Sequence, residues 1–106
     1  MPRTAKPLSP TSLATLQAIA DGVRHGFEIM GVTGLASGTV YPVLARLEEA
    51  GLVRSRWEAP VIARREKRPP RRYYQISAAG TRALAHSIEH YRRGASRRTT
   101  RTSTSR

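Results

Sequence analysis

Apolar residues recur at helical spacing through the first half of the chain and alternate with polar ones in the second half. In "LSPTSLATLQAIADG", Leu13, Leu16, Ile19 and Ala20 form one stripe. Ser9 stands before it as a cap, Pro10 suits the first helical position and Gly22 follows as a stop, which predicts a first helix over Pro10 to Asp21. After the extended "VRHG", the stretch "FEIM" is long enough for only a turn or two of helix before Gly31. A third helix is predicted over Gly38 to Ala50, with Ser37 as its cap, Val40, Val43, Leu44 and Leu47 as its buried face and Gly51 as its stop. Pro42 falls in the first or second turn, where a missing amide costs less than further along. The joint "GVTGLAS" is short and glycine-bearing, as a helix-turn-helix requires.

"LVRSRWE" and "RRYYQIS" then alternate as strands do, Val53, Ser55 and Trp57 sharing one face and Tyr74 and Ile76 one face of the partner strand. Trp57, Tyr74 and Ile76 are expected in the core under the sheet, with a small-molecule pocket near a dimer cleft as the other reading of Trp57. The intervening "APVIARREKRPPR" is expected to be a solvent-exposed loop, because prolines do not join a central ladder and its charges repel one another. Ser77 caps a last helix, "AAGTRALAHSIEHYRR", with Leu84, Ile88 and Tyr91 at i, i+4, i+7. The fold class is therefore mainly α with a small β-hairpin: a winged helix-turn-helix with a three-helix core, a two-stranded wing and a C-terminal dimerisation helix. Residues 1–8 are expected to be a flexible N-terminus, 9–77 the winged domain, 78–93 the last helix and 94–106 a disordered basic tail.

Charge gives this outline its chemistry. The net charge is +12, and it sits in two places: residues 54–72 carry eight basic against two acidic side chains, and residues 92–106 six against none. A localised excess of this kind calls for a polyanion, most simply nucleic acid, since neither basic segment has the apolar alternation of an interfacial helix. With 106 residues there is room for one small domain. The absence of cysteine removes disulfides and thiolate metal sites, and no apolar run approaches membrane-spanning length, so a cytoplasmic protein without a membrane partner is expected, associated with the nucleoid when on DNA. No cofactor is expected. His86 and His90 have i, i+4 spacing but no third ligand in view, which favours exposed histidines over a metal site, and no nucleophile and base stand together, which sets catalysis aside.

The residues also resemble the PadR-like transcriptional regulators, in "HGFEIM" (His25 to Met30), "SGTVYPVLARLEEAGLV" (Ser37 to Val53), "SRWE" (Ser55 to Glu58), "RRYYQIS" (Arg71 to Ser77) and "AAGTRAL" (Ala78 to Leu84), over roughly Leu8 to Arg93. The resemblance implies a dimeric winged-helix DNA-binding regulator, usually a repressor, whose carboxy-terminal helix builds the dimer. Two departures stand out: "GVTGLA" occupies the place of a longer basic helix, and a single helix plus tail replaces the larger effector domain of some relatives.

Position then assigns roles. Ser37, Gly38, Thr39, Tyr41 and Pro42, at the start of the third helix, are expected to meet base edges in a groove, Tyr41 foremost, although packing beneath the wing is its other reading. His25, Arg46, Arg64, Arg65, Lys67, Arg68, Arg71 and Arg72 are expected on phosphates. With about four to six phosphates neutralised per protomer, log affinity should fall against log salt with a slope near minus four to minus five. Leu84, Ile88 and Tyr91 are expected at a homodimer interface, because three helices and a ribbon seldom bury all of a terminal helix. The rival reading is a basic RNA-binding or chromosome-coating protein with no operator. A small-molecule effector, if there is one, is not legible in the residues.

Overall fold

A computed structural model describes residues 6–104 of the chain, with side chains through residue 95. Three helices form the body: α1 over Pro10–Ala20, α2 over Gly26–Thr33 and α3 over Ser37–Glu49. The Ser9 hydroxyl accepts the Ser12 amide at 3.3 Å and Pro10 opens the first turn, so α1 begins as its capping residues dictate. The helix α2 has two turns and ends at Thr33, with Gly34 as its left-handed cap, leaving three residues before α3. Ser37 is not the cap of α3. Ala36 is the last extended residue, its carbonyl accepting the Thr39 and Val40 amides at 2.9 and 3.0 Å, and Ser37 becomes the first helical residue with an exposed side chain.

The apolar stripes meet as their periodicity requires. Leu16, Ile29, Val40, Val43, Leu44, Leu47 and Val53 are buried together, with Tyr74 and Leu84 closing the cluster. Each large aliphatic side chain buried in this way contributes roughly 1.5–3 kcal/mol. Leu84, expected at a dimer interface, thus belongs to the monomer core, because the first turns of the last helix lie directly against the body.

The strands β1, Val53–Trp57, and β2, Arg72–Ile76, pair antiparallel with Val53 opposite Ile76 and Trp57 opposite Arg72. A third extended piece joins the free edge of β2, where the Tyr74 amide donates to the Arg24 carbonyl at 2.7 Å and His25 pairs with Tyr73. Trp57 corrects the sequence reading. It shares the face of Val53 but lies beyond Tyr74, the last core side chain of the ladder, and is 61% exposed with the Arg72 guanidinium 5.3 Å from its ring centre.

The connection between the strands is not a plain loop, for it contains a short helix, α4, over Pro60–Arg65. Pro60 supplies the first helical position, Ala63 turns inward and is buried, and Arg64 and Arg65 place positive charge at the carbonyl end. Lys67 then takes a left-handed backbone, and the Arg68 amide closes on the Ala63 carbonyl at 3.1 Å.

The helix α5 runs over Ala78–Thr104, past the Arg93 end expected for it. Its cap is the expected one: the Ser77 hydroxyl accepts the Gly80 amide at 3.0 Å. The stretch after Arg93 holds one glycine and no proline up to Thr104, so nothing in it terminates a helix. The expected flexible start lies outside the described residues for 1–5, whereas Leu8 is fixed at both backbone groups, its amide donating to the Ser87 hydroxyl and its carbonyl accepting the Tyr91 hydroxyl, each at 2.8 Å.

Candidate nucleic-acid interface

The front of α3 reaches the surface. Ser37, Gly38 and Pro42 are exposed, Thr39 is half-buried, and Tyr41 keeps half of its surface open. Its ring lies across the first residue of α2, where a β-carbon on Gly26 would stand 2.6 Å from the Tyr41 Cε1. Only glycine permits that approach, so the helix-turn-helix holds Tyr41 by its own backbone and presents the free half of the ring outward.

Around this ring the structure gathers residues that the sequence reading did not assign to the site. Phe27, 76% exposed, and Trp57 join Tyr41, His25, Arg71 and Arg72 around a cleft of about 280 Å³ at the root of the wing. The signal for Phe27 was present, because it stands one residue out of phase with the buried Gly26 and Ile29 of its own helix.

The basic residues divide into two groups. Arg68, a quarter exposed, clasps the Glu58 carboxylate with both terminal nitrogens at 2.6 and 2.9 Å, and is therefore occupied within the protein. Glu58, nearly buried, also accepts the Arg71 amide at 3.3 Å and the Tyr73 hydroxyl at 3.2 Å. The bond from Arg68, with those from the Arg71 amide and Tyr73, holds its carboxyl down to about 2 against the opposing effect of burial. Arg72 is likewise engaged: it donates to the Ser55 hydroxyl at 2.9 Å and pairs with Glu48 of α3 at 3.4 Å, tying the wing to that helix. His25 lies mostly buried with its ring edge-on to Tyr73, and burial followed by the nearby Arg71 charge lowers its pKa, so it stays neutral near pH 7.

The second group is unpaired. Among the described residues, Arg46, Arg64, Arg65, Lys67 and Arg71 form no ion pair, and all but the half-buried Arg71 are exposed. Away from this face, Ile88 and Tyr91 are 44% and 38% exposed on α5 and line a groove of about 390 Å³ with Pro10, Leu13, Ala14 and Gln17 of the α1 segment. Arg92 and Arg93 both bond Glu89, which holds its carboxyl down to about 2 and ties up two of the six basic residues of the terminal segment.

Among the described residues no three metal-ligating side chains converge, and no helix is long and apolar enough to cross a membrane. What the elements do present is a helix-turn-helix with an exposed third helix and a paired-strand wing rich in unpaired cations beside it, the architecture of a winged-helix DNA-binding protein. A profile of the transcriptional regulator PadR-like family matches residues 15–86. The chain belongs to that family, whose members bind DNA and are not enzymes. Solved structures agree on the fold. A PadR family transcription regulator from hypervirulent Clostridium difficile superposes with a TM-score of 0.75 at 18% identity, over 87% of this chain and 97% of that one. A transcriptional regulator from Clostridium thermocellum gives 0.70 at 20% identity over 85% and 87%, and a PadR-like transcription factor from Bacteroides fragilis gives 0.68 at 20% identity over 86% and 87%. No curated protein matches the sequence.

Proposed function

We propose that this regulator acts in the cytoplasm as a homodimer that binds a pseudo-palindromic operator and represses transcription by blocking initiation. The observation that carries the reading is the adjacency of the exposed front of α3 to a wing in which Arg64, Arg65, Lys67 and Arg71 have no acidic partner among the described residues, while Arg68 and Arg72 are paired internally. In this reading Ser37, Gly38, Thr39, Tyr41 and Pro42 meet base edges, while Arg46, Arg64, Arg65, Lys67 and Arg71 meet phosphates. Five such contacts per protomer correspond to a salt slope of about −4.5 per half-site. Selection of bound duplexes from a random pool, followed by sequencing, tests the reading directly. An inverted repeat with half-sites about one helical turn apart supports it, and recovery of no motif at physiological salt favours a chromosome-coating role instead.

Two variants separate reading from holding. Tyr41→Ala is expected to reduce discrimination between the selected duplex and bulk DNA by roughly 1–3 kcal/mol, with little change in salt slope. Arg64→Ala with Arg65→Ala is expected to weaken binding to all duplexes and to lower the slope by about two. Binding titrations across a salt series measure both, and identical behaviour of the two variants contradicts the division.

What supports the dimer is the groove between α1 and α5, whose apolar walls stay open in a single chain. The second copy's α5 is the proposed occupant, with Ile88 and Tyr91 as contacts. Ile88→Lys is then expected to raise the dimer dissociation constant by roughly a hundredfold, read by sedimentation, while the melting midpoint of the dilute monomer stays unchanged.

A further inference from the structure

The wing sheet has a second charged surface, on the side away from α3. Ser55 faces α3, since its hydroxyl bonds Glu48 at 2.6 Å, so its neighbours Arg54 and Arg56 on β1 point to the opposite face. Arg24 sits at the other edge of the sheet, where its carbonyl holds the Tyr74 amide, and its side chain reaches this same face to lie over the Tyr73 ring. Tyr73 stands between them, with the guanidinium carbons of Arg24 and Arg56 at 5.0 and 5.9 Å from its ring centre. The ring is itself fixed, as its hydroxyl donates to Glu58. The three arginines line one open cleft of about 390 Å³.

Among the described residues none of the three has an acidic partner. Two carboxylates of the adjoining segments are engaged elsewhere: Glu58 accepts from Arg68, and Glu28 accepts the Arg24 backbone amide at 3.5 Å. The Arg24 and Arg56 guanidinium groups over the Tyr73 ring, with Arg54 on the same cleft, repel one another, and a single ligand with two or more negative charges relieves that repulsion at once. Planar forks of this kind match tetrahedral phosphate oxygens in pairs. We infer that this outer face of the sheet is a second phosphate-binding site, distinct from the α3 front, which takes a compact ligand carrying linked phosphates or the phosphates of a flanking DNA strand.

Inorganic pyrophosphate is the probe, titrated calorimetrically into the full-length protein at low salt. Arg24→Gln with Arg56→Gln is expected to weaken its binding by roughly tenfold or more, Arg54→Gln by a smaller factor, and Arg82→Gln, exposed on α5, not at all. Loss of equal size in the Arg82 variant, or none in the Arg24 and Arg56 variant, overturns the site in favour of diffuse charge adhesion. A selected duplex distinguishes the sources. Pyrophosphate that still binds the duplex-bound protein marks a free ligand, whereas its displacement, with a salt slope lowered by about two in the Arg24 and Arg56 variant, marks the DNA backbone. Failure of the protein to bind any duplex counts against the operator reading alone, since the pyrophosphate arm stands without it.

Discussion

Replacing Gly80 with alanine is expected to destabilise the domain by about 2–3 kcal/mol and to lower its melting midpoint by roughly 10 °C or more. Gly80 lies in the first turn of α5 where that helix crosses the end of the sheet. A β-carbon there collides with the Leu52 carbonyl oxygen and stands 2.7 Å from the Ile76 Cγ1. The obstacle is mainly backbone, and the Leu52 carbonyl is not free to turn away, because it accepts the Ser77 amide at 3.0 Å. Relief therefore means shifting α5 or breaking the bond that seats its cap. Gly94→Ala is the control of opposite sign. The same helix has open space around that position, so alanine is expected to add up to about 1 kcal/mol through helix propensity alone. Thermal unfolding followed by circular dichroism compares the two, and equal shifts would mean that Gly80 marks no close approach.

The contrast between these glycines shows what the sequence made legible and what it did not. Helix faces and the order of elements were readable, since Leu13, Leu16 and Ile19 in one stretch, and Val40, Val43, Leu44 and Leu47 in another, repeat at helical spacing. The start of α1 and the cap of α5 were readable for a similar reason, as Ser9 and Ser77 act on amides three residues away. Trp57 was misplaced because alternation reveals which face a residue shares, not how far the core extends along the strand. Leu84 was misassigned because a stripe on a helix does not say which of its turns meets the body and which a second chain. The helix α4 is not legible because proline and charge argue against a strand ladder and a core without arguing against a helix: Pro60 opens one and the arginines suit its end. The aromatic cleft at the wing root depends on three distant segments meeting, which no local pattern encodes.

The wing arginines show the same limit with the largest functional consequence. By composition Arg68 is indistinguishable from Arg64 and Arg65, yet its guanidinium is held by a carboxylate ten positions earlier. Arg68→Ala and Glu58→Ala are therefore expected to act alike, each opening the base of the wing insert, because the pair also carries the bonds to the Arg71 amide and the Tyr73 hydroxyl. Each single variant should lose DNA affinity on the order of tenfold, and the double variant should lose little more, since both remove one structure. A phosphate role for Arg68 makes the opposite forecast: Arg68→Ala weakens binding and flattens the salt slope by about one, while Glu58→Ala strengthens binding by freeing a cation. Acid separates the readings without mutation. The Glu58 carboxyl is held down to about 2 from 4.5, so its contribution to stability is fully present above pH 4.5 and is lost as the pH falls towards 2. Protection of the 58–71 backbone amides, measured by hydrogen exchange across that window, should collapse in the wild type and be low at every pH in Glu58→Ala. Unchanged protection in that variant would show that the insert holds its shape without the ion pair, and Arg68 would return to the phosphate-binding set.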